Sequence, residues 1–272
     1  MIKDIVVKLS PAAFDHAGAY AISLAAACEA HVTGLAFAYE PEILPDPSGQ
    51  GSRRFMRIRE ENEQAAAAAA AAFRKQATDA GVDASARALT TTVSAGYDLF
   101  GRMARRFDLA VVGQDDPDKE QSEALIAEGA LFESGRPLVM VPYIHKERVK
   151  LDRVMVCWDG SRPAARAVAD AMPLLARAGQ VEVVIVEQVK SDEMPGADVA
   201  EHLARHDLNV TVQRIARGEL DVKDVLLNHA ADSGADMVVM GGYGHSRMRE
   251  FILGGVTRGM LAAMTLPTLL SH

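Results

Sequence analysis

The residues with the clearest chemical use lie between Asp236 and Met260, in the stretch DMVVMGGYGHSRMREFILGGVTRGM. It opens on an apolar run, Met237 to Met240, too short for a helix and followed by glycines. That is the pattern of a fully buried parallel strand. Gly241, Gly242 and Gly244 follow, and Gly254 and Gly255 precede a helical pattern through Val256, Leu261 and Met264. A strand that runs through a glycine-lined loop into a helix start suits a phosphate. Glycine lets backbone N–H groups approach an anion closely, and the helix start offers unpaired N–H groups and the positive end of its dipole. His245 and Arg247 are placed either to reach phosphate oxygens or to face water from a solvated loop. Tyr243 packs on a ribose or simply covers the loop. The segment points to a nucleotide-type ligand.

The elements that position this loop come from a repeat. DIVVKLS, starting at Asp4, resembles RVMVCWD, starting at Arg153. DLAVVGQ from Asp108 resembles DMVVMGG from Asp236, and RPLVMVP from Arg136 resembles LPTLLSH from Leu266. The matches keep their order, so the chain holds two copies of one α/β unit, joined by a polar linker near residues 143–152. In the second copy, strands are expected near 153–158, 181–187, 209–215, 236–240 and 268–270, with helices near 162–177, 199–205, 220–233 and 256–264. Gly179 and Gly234 stand where helices stop. The first copy gives strands near 5–8, 31–38, 85–92, 109–112 and 138–141. Such alternation makes a parallel sheet with helices on both faces, and ligands then bind beyond the carboxyl ends of the strands, where the strand order reverses. The first copy is longer, through a Pro/Gly-rich loop at 41–54 and an alanine-rich helix after it, with Glu60 to Glu63 early and Arg74 and Lys75 late. This insertion is a lid or partner surface, or a long covering helix.

The tandem units and the Gly241, Gly244, Gly254 spacing resemble the universal stress protein family in its two-domain form, over nearly the whole chain. The resemblance implies an α/β fold: two tandem open five-stranded parallel-sheet domains, Rossmann-like and adenine nucleotide α-hydrolase-like, forming an intramolecular pseudo-dimer. It implies domains at 1–145, with a degenerate motif, and 151–272, with the glycine motif. In such a pseudo-dimer the short apolar final strands of the two halves pair with each other.

Adenine-nucleotide-binding members of the family follow the last glycine with Ser or Thr. Here Gly255 holds that position and the nearest hydroxyl is Thr257, which leaves backbone contact from Gly254 to Thr257. The family also uses an Asp at the end of the first strand toward the base; here it is Asp159, followed by Gly160 and Ser161, which serve the turn and helix cap. The alternative for Asp159 and Ser161 is that both merely cap the helix. The implied ligand set is Asp159, Gly160, Ser161, Met240, Gly241, Tyr243, Gly244, His245, Gly254, Gly255, Val256 and Thr257. The implied ligand is an adenine nucleotide, ATP with Mg, and the implied role is stress response through binding and conformational coupling to a protein partner. No general base stands beside the loop, so slow ATP hydrolysis is the most catalysis expected. A nucleotide-free interaction module of the same family is the rival reading, and an adenylyl-transfer enzyme a third, for which no catalytic Lys or His motif is found.

The first copy departs from the motif. Ser10 replaces the Asp, and Asp115, Asp116, Asp118 and Glu120 put negative charge where a phosphate would sit, so no competent nucleotide site is expected there. The remaining signals are weak. His202 and His206 share a helix face, without an adjacent HExxH glutamate or a third ligand. The two cysteines, Cys28 and Cys157, form no CxxC, which suits a reducing cytoplasm rather than a metal ribbon or disulfide scaffold. The N-terminus opens directly on a strand, without a signal-peptide pattern, and no apolar run reaches membrane-spanning length. A net charge of −8 argues against nucleic acid or anionic membrane as bulk electrostatic partners and leaves only a local basic patch for anionic ones. A homodimer of the tandem chain is compatible with all of this.

Overall fold

The computed structural model describes residues 1–11, 15–41, 50–116, 123–187, 197–242 and 255–272. They form two compact units, Ile2–Ser134 with Lys146–Arg148, and Gly135–His145 with Met1 and Val149–His272.

The first unit runs β1 (Asp4–Leu9), α1 (His16–Cys28), β2 (His31–Tyr39), α2 (Gln50–Asp79), β3 (Ala84–Thr91), α3 (Val93–Ala104), β4 (Leu109–Gly113) and α4 (Glu123–Glu133). Its strands lie in the order β3-β2-β1-β4, all parallel, with Val7 between Gly34 and Val111. The inner strands are covered on both faces, which is why Ile5, Val6 and Val7 of β1 and Leu109 to Val112 of β4 are buried without alternation. Helix α2 starts at Gln50, inside the stretch read from its glycines as loop. From Asn62 onward a stripe of Ala66, Ala70, Phe73 and Ala77 at helical spacing is buried, while most of the other alanines face outward.

The second unit contains β5 (Leu138–Val141), β6 (Arg153–Cys157), α5 (Arg162–Leu175), β7 (Gln180–Glu187), α6 (Ala197–Ala204), β8 (Val210–Ala216), α7 (Val222–Ser233), β9 (Met237–Gly241), α8 (Gly255–Ala263) and β10 (Thr268–Ser271). Its strand order is β5-β10-β9-β6-β7-β8. All neighbours are parallel except β5 and β10, which pair antiparallel from Thr268 with Met140 to Leu270 with Leu138. The closing strands of the two sequence repeats therefore pair, as expected, and β5 joins the second unit. The chain leaves β6 toward β7 and β8, then returns to β9 on the other side of β6. That reversal puts the crevice of this sheet at the carboxyl ends of β6 and β9.

Two helix stops differ in kind. Gly234 caps α7 in the left-handed conformation, at φ 66°. Gly179 lies beyond the C-cap Ala176 of α5, and glycine is needed there because a Cβ would come within 2.8 Å of the Asp152 carbonyl oxygen.

Candidate functional site

The site is assembled where β6, α5 and β9 meet. Trp158 N–H extends the β6 ladder by donating to the Val184 carbonyl. The chain then turns. Asp159, exposed at the strand end, accepts the Ser161 N–H at 2.9 Å through Oδ1. Gly160 sits at φ 74°, where a Cβ is strained. Ser161 caps α5 by accepting the Ala164 N–H at 3.3 Å, and Pro163 in the first turn loses no helical hydrogen bond. Asp159 and Ser161 thus both serve the turn, and this turn sets the Asp159 carboxylate at the carboxyl edge of the sheet.

Gly241 ends β9 against this same helix start. A Cβ on it would lie 2.5 Å from the Ala164 nitrogen and 2.6 Å from the Pro163 carbonyl carbon. The glycine is required by close strand–helix approach, a role its place in the loop motif does not reveal. Gly242 N–H donates to the Ser271 carbonyl at 2.8 Å, and His272 Nδ1 lies 3.2 Å from the Gly242 carbonyl oxygen, so the strand end is fixed to β10. Met240 is buried behind it. Tyr243, Gly244, His245 and Gly254 lie outside the described residues. Beyond them Gly255 opens α8, with Val256 exposed and Thr257 buried at 5% exposure. Among the ligand residues named from sequence, the structure brings together Gly241 and the Asp159–Ser161 turn at the mouth of α5.

Cys157 precedes this turn. Burial, and secondarily the Asp159 carboxylate, push its thiol up to about 12, so it stays protonated and is no nucleophile at neutral pH. His202 and His206 stack edge to face at 4.9 Å on the surface, and no cluster of three metal-ligating side chains occurs among the described residues.

The corresponding place in the first unit is occupied by the chain's own charges. Lys8, which stands in the repeat where Cys157 stands, is buried and paired with Glu123 of α4. Asp115 accepts the N–H groups of Glu123 and Ala124 at 2.8 and 2.9 Å, filling the start of α4 with a carboxylate. Asp15 accepts the N–H groups of Ser10 and Gly18 at 3.1 and 3.0 Å. Glu123 Oε2 has no hydrogen-bond partner among the described residues. Burial raises the Asp15 and Glu123 carboxyls above their ordinary values, outweighing the groups that favour their charge. Burial works to lower the Lys8 ammonium, but the attraction of Glu123, with Tyr39 and Asp15, outweighs it and raises Lys8 too. The shared direction has two causes: burial raises the two carboxyls, and the neighbouring anionic groups raise the ammonium. The sequence signal for this cluster is a lone lysine, Lys8, inside an apolar strand. Asp118 and Glu120, named with it from sequence, lie outside the described residues.

The fold and the site define a tandem α/β protein with a strand-order reversal at β6 and β9 in its second half and a buried charged cluster in its first. Residues 150–272 match the Universal stress protein family, and the second half of the chain belongs to that family. A universal stress protein from Archaeoglobus fulgidus DSM 4304 is similar over 98% of this chain and 97% of its own, at 17% identity and a TM-score of 0.70. A putative universal stress protein from Pseudomonas aeruginosa UCBPP-PA14 is similar over 99% and 93%, at 13% identity and 0.59. These likenesses extend the tandem fold to the whole chain. Among curated proteins, none matches the sequence. No described helix is long and apolar enough to cross a membrane.

Proposed function

We propose that the second half binds an adenine nucleotide, ATP with Mg, and that the protein acts in a cytoplasmic stress response through binding and conformational coupling to a partner rather than through turnover. The observation that carries this reading is the exposed Asp159 carboxylate at the carboxyl end of β6, at the strand-order reversal. Asp159 is suited to accept from an exocyclic amine, and the backbone at Gly255 to Thr257 to donate to phosphate oxygens at a helix start. The ligand, when bound, supplies the phosphate charge that those N–H groups lack. The charged cluster of Lys8, Glu123, Asp15 and Asp115 repels a second phosphate group from the first half. Isothermal titration of the full chain with MgATP is expected to saturate at about one site per chain. Two equal sites, or none together with no nucleotide released on denaturation, would remove this reading. The rival, a nucleotide-free interaction module, draws on Gly255 at the family's hydroxyl position and on the packing need for Gly241, which explains that glycine without a ligand.

A further inference from the structure

We propose that the first turns of α2 form a docking surface for an acidic segment of a partner protein, one that presents carboxylates on either side of an apolar side chain. The argument begins with length. Asn62 Nδ2 donates to the carbonyl of Tyr39, the last residue of β2, at 2.7 Å, and Arg74 Nη1 donates to the Ala86 carbonyl near the start of β3. Helix α2 therefore descends from the carboxyl edge of its sheet to the amino edge. The residues before Asn62 begin at Gln50 and rise past that edge by about 18 Å at about 1.5 Å per residue. A helix needed only to cover the sheet would stop near Asn62.

The overhang has its own chemistry. Arg53, Arg54 and Arg57 are exposed, and Met56 among them is 60% exposed. Arg53 and Arg54 have no carboxylate partner among the described residues, and Arg57 has only a 3.7 Å contact with Glu61 between two exposed side chains. Phe55 and Ile58 stay half-exposed beside them. Guanidinium groups with at most one long carboxylate contact among the described residues form, on a chain of net charge −8, a local field opposite to that of the whole molecule. Guanidinium forks match carboxylates in pairs, and an exposed methionine adapts to an apolar side chain. A phosphate backbone fits less well, because Glu60, Glu61 and Glu63 follow within one or two turns and would repel a long polyanion. A second copy of this chain is disfavoured by the like net charge of the two molecules.

The test uses the full chain without nucleotide, so its outcome is independent of the ATP reading. A short fluorescein-labelled peptide of glutamates and leucines is titrated by anisotropy, beside an all-glutamate peptide and a single-stranded RNA of similar charge. The parent is expected to prefer the mixed peptide, with affinity falling as salt rises. The triple variant Arg53→Glu, Arg54→Glu, Arg57→Glu should bind it at least about tenfold more weakly. Met56→Ser should erase the preference for the mixed peptide. All these side chains are exposed, so both variants should melt as the parent does. Equal binding by parent and triple variant would overturn the proposal. So would tighter binding of the RNA, or a parent dimer in sedimentation that the triple variant dissolves.

Discussion

Asp159 and Ser161 both hold the turn into α5, and substitution separates that role from the proposed one in binding. Ser161→Ala removes the α5 cap and is expected to cost about 1 kcal/mol, read from the denaturation midpoint, with nucleotide binding lost only in proportion. Asp159→Ala should leave the fold nearly as stable and weaken ATP binding by roughly 1–3 kcal/mol if its carboxylate accepts a buried hydrogen bond from the base. Normal ATP affinity in that variant would leave Asp159 with the turn alone. In the first half the buried pair sets the opposite pattern. Lys8→Met or Glu123→Gln alone is expected to cost about 3–5 kcal/mol, because each strands the other charge. Lys8→Met with Glu123→Leu should recover most of that loss. The Lys8 ammonium is raised above its ordinary 10.5, so its contribution is complete below that pH and is lost as pH rises through its folded value. The parent's melting temperature should therefore fall on the alkaline side more steeply than the double variant's.

At the scale of elements, much of the second copy was legible in sequence. Apolar runs bounded by glycines located β9, and the Ser161–Pro163 start and Gly234 stop framed α5 and α7 within two residues. What sequence hid was contact across the chain. Gly241 reads as a phosphate glycine from its spacing, yet its need arises at Ala164, far away in sequence. Lys8 and Glu123 meet only because β1 and α4 meet. The start of α2 was hidden for another reason: Gly51 and Ser52 read as loop, and the arginines after them carry no apolar period strong enough to offset that. The glycines divide by experiment. Gly241→Ala should destabilise by about 1–3 kcal/mol through the clash with the α5 backbone, ligand or none. Gly244→Val and Gly254→Val should abolish ATP binding with little change in stability, while Gly255→Ser should keep or improve it. Should Gly254→Val unfold the protein, the loop glycines are structural and the interaction module becomes the better reading.

For the molecule as a whole, two copies of one unit have been given different fates by a few buried positions. Cys157 and Lys8 stand at equivalent places, as do Asp159 and Ser10, and with these exchanges the first copy carries a buried ion pair, Lys8 with Glu123, that has no counterpart at Cys157. The tandem arrangement keeps both in one chain at fixed ratio. It also keeps the short strand β5 in reach of β10.

That last pairing decides where the chain can be cut. A fragment beginning at residue 151, the boundary the repeat suggests, would carry β10 without β5, and its row of backbone N–H and C=O groups along Thr268 to Leu270 would be bare. Two such fragments can satisfy each other edge to edge, so this piece should run as a self-associated species in size-exclusion chromatography. A fragment beginning at Gly135 brings β5 with it and keeps the β10 edge paired, so it should not self-associate through β10. Proteolytic severing of the linker alone, with both pieces present, should release nothing until denaturant is added.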